Sequence, residues 1–136
     1  MQKMNGWWAN SLCAGIGGFC GSVLRYWVSR SLHTVSATWP FGTLAANLAG
    51  CLIMGGIVEI GVEGGALSPA ARVLLTTGFC GGFTTMSSLA YESTVMARTG
   101  QGWGSAVYAV GSLALSLAAV LAGQAIVRGL TRLGGG

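Results

Sequence analysis

The stretch Gly78-Phe79-Cys80-Gly81-Gly82-Phe83-Thr84-Thr85-Met86-Ser87-Ser88-Leu89 sets glycines and hydroxyls in the middle of an apolar segment where a helix should run. The apolar run around it extends from about Ala70, after Pro69, to about Arg98. Its roughly 29 residues would rise on the order of 43 Å as a helix, against a hydrocarbon core of about 30 Å. Tilt absorbs part of that excess. Gly81-Gly82 followed by Thr84-Thr85 joins weak helix formers to side chains that compete for backbone hydrogen bonds, so a helix broken at mid-membrane is expected. Non-helical backbone at that depth is tolerated only where it is buried in protein or lines a cavity holding water or an ion. A broken helix offers bare carbonyls and amides to such an ion.

Outside this stretch the composition is equally apolar. Of 136 residues, 52% are hydrophobic and 7% charged, far below the charged share of about 25% in soluble domains. The chain therefore reads as an all-α integral membrane protein, a single domain of four transmembrane helices. The spans fall at about 7–27, 41–60, 70–97 and 103–127, leaving no room for a soluble enzyme domain. The net charge of +4 comes from Lys and Arg that occur singly and read as interfacial anchors rather than a nucleic-acid patch. No basic start, short apolar core and small-residue cleavage site precede the first span, so Met1 to Asn5 read as a mature terminus. Cys13, Cys20, Cys51 and Cys80 lie inside apolar segments without metal-ligand spacing and read as small packing residues. One loop histidine, His33, and three scattered glutamates provide no catalytic constellation, so an enzyme is not expected.

The first span is bounded by Trp7-Trp8 at one interface and Tyr26-Trp27 at the other. Arg25, about 27 Å of helix beyond Trp7, has two readings: it snorkels to water, or it forms an electropositive lip that draws anions to a pore mouth. Gly17-x-x-x-Gly21 and Gly18-x-x-x-Ser22 give this helix a small-residue face. A polar connector from Ser29 to Thr38 leads to the second span, where Thr43, Asn47 and Gly50 share one face. Asn47 is costly in lipid. Its amide either bonds a neighbouring helix or points into a pore as an uncharged anion donor. Glu59 and Glu63, beside Gly61, Gly64 and Gly65, are expected in a solvated loop. Glu92, about 9 Å of rise before Arg98, either reaches the interface or faces a vestibule. On the last span Tyr108, Ser112 and Ser116, and further on Gln124, put hydroxyls and an amide on one helical face, as packing glue or as rungs of a path.

Neutral donors on several helices, with no charge among them, suit a narrow path for a small anion. Entering a dry medium costs such an ion tens of kcal/mol by Born solvation, so each lost water needs a protein donor in its place. Fixed Lys or Arg would hold the ion too tightly to pass it on. Hydroxyls, amides and the positive edges of aromatic rings replace water at comparable strength from rung to rung. With four spans, Lys3, Arg72, Arg128 and Arg132 fall on one side and Arg25, Arg30 and Arg98 on the other, four against three. The positive-inside rule gives almost no preference, so insertion in both orientations and an antiparallel, dual-topology dimer are expected, with the two broken helices meeting at a two-fold axis.

Three segments carry a family resemblance: Gly17-Gly18-Phe19-Cys20-Gly21-Ser22-Val23-Leu24-Arg25-Tyr26, then Phe41-Gly42-Thr43-Leu44-Ala45-Ala46-Asn47-Leu48-Ala49-Gly50, then Thr77 through Thr85. They resemble the signature segments of the Fluc (CrcB) fluoride channels, in order and over essentially the whole chain. The resemblance implies passive export of fluoride across the cell membrane by an antiparallel homodimer in lipid, with two pores. It also implies a structural Na+ ion at the dimer centre, held by the backbone carbonyls of Gly81 and Thr84. It places the pore at Asn47, Ser87, Ser88, Tyr108, Ser112 and Ser116, and the vestibule at Arg25 and Glu92. The family's two pore phenylalanines fall on Met86 and Leu89, which keep apolar bulk but lack the aromatic edge. That departure leaves open one subunit of a heterodimeric channel. A small dual-topology proton-coupled multidrug exporter is the other alternative; it needs a carboxylate deep in the membrane, for which Glu92 is the candidate.

Overall fold

The computed structural model describes residues 2–33, 39–63 and 65–134, and these are helical almost throughout, with no strand among them. Helix α1 (Gln2–His33) is followed by α2 (Phe41–Val58), which runs on into a π-helical turn, Glu59–Glu63. Next come α3 (Pro69–Val73), a π-helical run Leu74–Cys80, and the short α4 (Gly81–Phe83). Helices α5 (Met86–Arg98) and α6 (Gly102–Gly134) complete the chain. Among the described residues three stretches are long and apolar enough to cross a membrane: Phe41–Gly61, Pro69–Arg98 and Gly102–Leu133, with mean hydropathies of 1.7, 1.2 and 2.0. The glycines and Arg25 of α1 leave it less apolar than these.

The starts and stops have local causes. Pro69 takes the first helical position of α3, where its missing N–H costs nothing, and the Ser68 hydroxyl accepts from the Ala71 amide at 3.2 Å. Helix α5 ends in a Schellman motif. Gly100 adopts φ +85°, its amide donates to Ala97 O, and the Gln101 amide donates to Met96 O at 2.9 Å. That reversal lays α6 back along α5.

Helix α1 lies against Leu74–Phe83, and α2 and α5 lie against α6. The first contact is made by glycine. A Cβ on Gly17 would strike the Leu74 carbonyl, and one on Gly21 the Phe79 carbonyl. Between α2 and α6 the same holds for Gly55 against Val120 and for Gly123 against Leu52. Small residues let backbones approach where lipid gives side chains no hydrophobic reason to associate. The apolar side chains face outward instead: Phe19, Leu117 and Leu121 are all exposed, as expected of a surface solvated by acyl chains.

Three expectations are corrected here. Helix α1 continues through the first half of the expected connector, to His33; residues 34–38 lie outside the described ones, as do Gly64 and the side chains of His33 and Glu63. Glu59 is not in a solvated loop. It is buried in the π-helical turn, with Arg128 Nε of α6 at 2.6 Å from Oε1, an ion pair between residues far apart in sequence. Finally, Gly81 and Gly82 are helical, and the interruption falls on the two threonines that follow.

Candidate functional site

Thr84 (φ −84°, ψ 153°) and Thr85 (φ −149°, ψ 112°) are extended, and they separate α4 from α5. The bonds that would carry a helix across this point are taken over one at a time. The Thr85 amide, which in an unbroken helix would donate to Gly81 O, donates instead to Asn47 Oδ1 at 2.7 Å. The Asn47 Nδ2 group returns the bond to Thr85 O at 3.3 Å, so one side chain of α2 satisfies both backbone groups of one residue. The Ser88 amide, which would donate to Thr84 O, donates to Thr85 Oγ1 at 3.2 Å, making Thr85 the N-cap of α5. Gly82 O, the natural acceptor for Met86, receives Arg25 Nε at 3.2 Å and Ser22 Oγ at 3.4 Å from α1. On the N-terminal side, the amide and hydroxyl of Thr84 both donate to Cys80 O at 2.9 Å and close α4.

The carbonyls of Gly81 and Thr84 thus lose their helical donors to Asn47 and to Thr85. Among the described residues no other donor reaches either one. Gly81 is exposed and Thr84 half-buried. Bare carbonyl oxygens three residues apart, flanking Phe83 and the occupied carbonyl of Gly82, suit a hard cation that prefers oxygen ligands.

A second cluster lies further along α5. Glu92 accepts from Thr43 Oγ1 of α2 at 2.6 Å through Oε1, and from the Tyr108 hydroxyl of α6 at 2.7 Å through Oε2. Three helices are tied to one carboxylate. The Trp39 ring stands edge-on to Tyr108, centroids 6.4 Å apart, and Tyr108 also packs with Leu89, Met96 and Leu44. One turn beyond Tyr108 on α6, Ser112 is buried, at 3% exposure, and its hydroxyl has no hydrogen-bond partner among the described residues. A buried donor without a partner is costly unless something else fills the place.

The expected site residues therefore sort by environment. Asn47, Ser87 and Ser88 gather at the break: Thr85 Oγ1 lies 3.1 Å from the hydroxyls of both serines. Tyr108 joins Glu92, while Ser116 is half-buried two turns past Tyr108 on the same helical face. The two positions without rings differ sharply. Met86 is 68% exposed on the protomer, whereas Leu89 is 5% exposed and belongs to the core around Tyr108. Arg25 reaches the backbone of the break rather than water alone. The inventory of candidates drawn from sequence left out Thr43, Thr85 and Ser22. Thr43 sits one turn before Asn47, and that spacing was the available signal; Ser22 and Thr85 act through backbone groups, which residue types do not announce.

Comparison with known proteins agrees with the signature segments. The family model described as CrcB-like protein, Camphor Resistance (CrcB), matches residues 12–124. A protein of Chlorobaculum tepidum named fluoride-specific ion channel FluC is 44% identical over 119 residues, 88% of this chain and 94% of the relative. Proteins with the same name from Chlorobium phaeobacteroides and Rhizobium leguminosarum bv. trifolii are 45% identical over 106 residues and 39% over 121. They cover 78% and 88% of this chain, and 83% and 97% of their own lengths.

Proposed function

This chain belongs to the CrcB family, and from that premise we propose that it is a fluoride-selective channel, which lowers intracellular fluoride by passive efflux across the cell membrane. It is not an enzyme. The observation on this chain that carries the reading is Ser112: a buried hydroxyl with no partner among the described residues, on the helical face that also bears Tyr108 and Ser116. A small anion shedding water there would meet an uncharged donor, strong enough to replace a lost water and too weak to trap the ion. Asn47, Ser87 and Ser88 extend the set of neutral donors toward the break, with Arg25 and Glu92 toward the vestibules. In the present arrangement the Tyr108 proton is held by Glu92, so Tyr108 turns lone pairs rather than a proton to any ion beside it.

The finer architecture is four spans with the third broken at mid-membrane, in an antiparallel homodimer with two pores. It draws support from the near balance of positive charge between the two sides, and from the exposure of Gly81, Met86 and Ser87 around the break, which a second copy would cover. The carbonyls of Gly81 and Thr84 fit a Na+ ion at the centre of such a dimer, because side chains have already removed their helical donors. When bound, Na+ would supply fixed positive charge where two breaks meet. What this chain contributes is the capture of the two amides by Asn47 and by Thr85.

Fluoride efflux from liposomes holding only the purified chain, with chloride as control ion, tests the reading. The expected result is rapid fluoride release without chloride leak, slowed by Ser112→Ala and Asn47→Ala. Silence from a folded dimer would reject the homodimeric channel. It would point to a heterodimer whose second chain supplies the rings absent at Met86 and Leu89, and Met86→Phe would then be the variant that restores flux.

A further inference from the structure

We propose that Arg25, together with Ser22, is a positioning residue that keeps the helix break open by occupying the carbonyl of Gly82. Healing the break requires four consecutive bonds: Thr85 to Gly81, Met86 to Gly82, Ser87 to Phe83 and Ser88 to Thr84. Asn47 removes the donor of the first, and Thr85 Oγ1 removes the donor of the last. The Met86 amide stands at the first turn of α5, where helices leave their donors unpaired, and its natural acceptor would be Gly82 O. Arg25 Nε and Ser22 Oγ fill that acceptor at 3.2 and 3.4 Å. Helix α1 can deliver them because the contact beneath is backbone on backbone: a Cβ on Gly82 would lie 2.5 Å from Gly18 O. A charge-assisted donor is the stronger of the two, which makes Arg25 the principal lock.

The role belongs to one atom rather than to the charge. In glutamine, Nε2 is separated from Cα by the same number of bonds as Nε of arginine, so Arg25→Gln keeps a donor in place and removes the charge. Arg25→Lys keeps the charge and moves the donor outward, and Arg25→Met keeps only the stem.

The test is amide hydrogen exchange at Met86 in the full chain reconstituted in lipid nanodiscs, with dimer elution checked for each variant. In the Asn47→Ala background, which frees the Thr85 amide so that the segment can close, Arg25→Met slows exchange at Met86 about tenfold as the Met86 to Gly82 bond forms, while Arg25→Gln stays within about twofold of the Asn47→Ala parent. Arg25→Lys then resembles Arg25→Met. Unchanged exchange in Arg25→Met overturns the proposal. So does the opposite ordering, with Arg25→Lys like the parent and Arg25→Gln like Arg25→Met, which would make Arg25 an electrostatic lip alone. Should Arg25→Met fail to assemble, the Gln and Lys pair decides by the same ordering. No step of this depends on an ion being bound.

Discussion

Where α1 meets Leu74–Phe83 the contact is backbone on backbone, through Gly17, Gly21 and Gly82; where α2, α5 and α6 converge on Glu92 it is side chain on side chain, through Thr43 and Tyr108. The glycine seam fixes distance and offers no chemistry of its own. The polar seam offers hydroxyls and a carboxylate, while further along α2 and α6 the glycines Gly55 and Gly123 hold those two helices close. The two meet at the break, since the glycine seam delivers Arg25 to Gly82 O while α2 delivers Asn47 to Thr85. In lipid, close packing and buried polarity are separate devices, and this chain brings both to the break.

The largest effect should come from the glycine seam. Gly21→Val places a branched side chain on the Phe79 carbonyl with no flexible neighbour to give way, and is expected to cost about 3 kcal/mol, read as lost folded protein in a thermal scan. A stable Gly21→Val variant would mean that the seam is looser than described. Asn47→Ala comes next, because it strands the amide and carbonyl of Thr85; about 2 kcal/mol and most of the fluoride flux should go, and Asn47→Asp should recover only the accepting half. Thr85→Val removes the N-cap of α5 for about 1 kcal/mol, and under the Na+ site proposed above sodium should affect the stability of that variant less than that of the parent, since the Ser88 amide is released to Thr84 O. The smallest stability change carries the sharpest contrast. Ser112→Ala deletes an unpaired buried hydroxyl, so stability should hold or rise by about 0.5 kcal/mol while fluoride efflux slows. A loss of stability there would make Ser112 packing glue and remove it from the path.

Much of this was legible beforehand because membrane constraints act on single segments. An overlong apolar run holding Gly81-Gly82-Thr84-Thr85 had to be interrupted, and Asn47 had to find partners. What could not be read was which residues would yield. Gly82 stays helical where its missing side chain serves the contact with α1, and the threonines yield because Asn47 outbids the helix for the Thr85 amide. The π-helical run Leu74–Cys80 has no signature in residue types. Glu59 reads as solvated from sequence alone because its partner, Arg128, lies 69 residues away. Arg25 showed its charge in the sequence but not the atom it uses.

The contact of Gly82 with Gly18 also constrains how this protein can change over generations. A bulky replacement in an ordinary core can be rescued by trimming the neighbour it strikes. Here the atom struck is a main-chain oxygen, which no codon encodes separately and no second substitution can shrink. A suppressor screen begun from Gly82→Ala should therefore return reversion or a shift of the whole helix. The polar seam, made of replaceable side chains, leaves far more neutral routes open, and innovation in this scaffold has its room there.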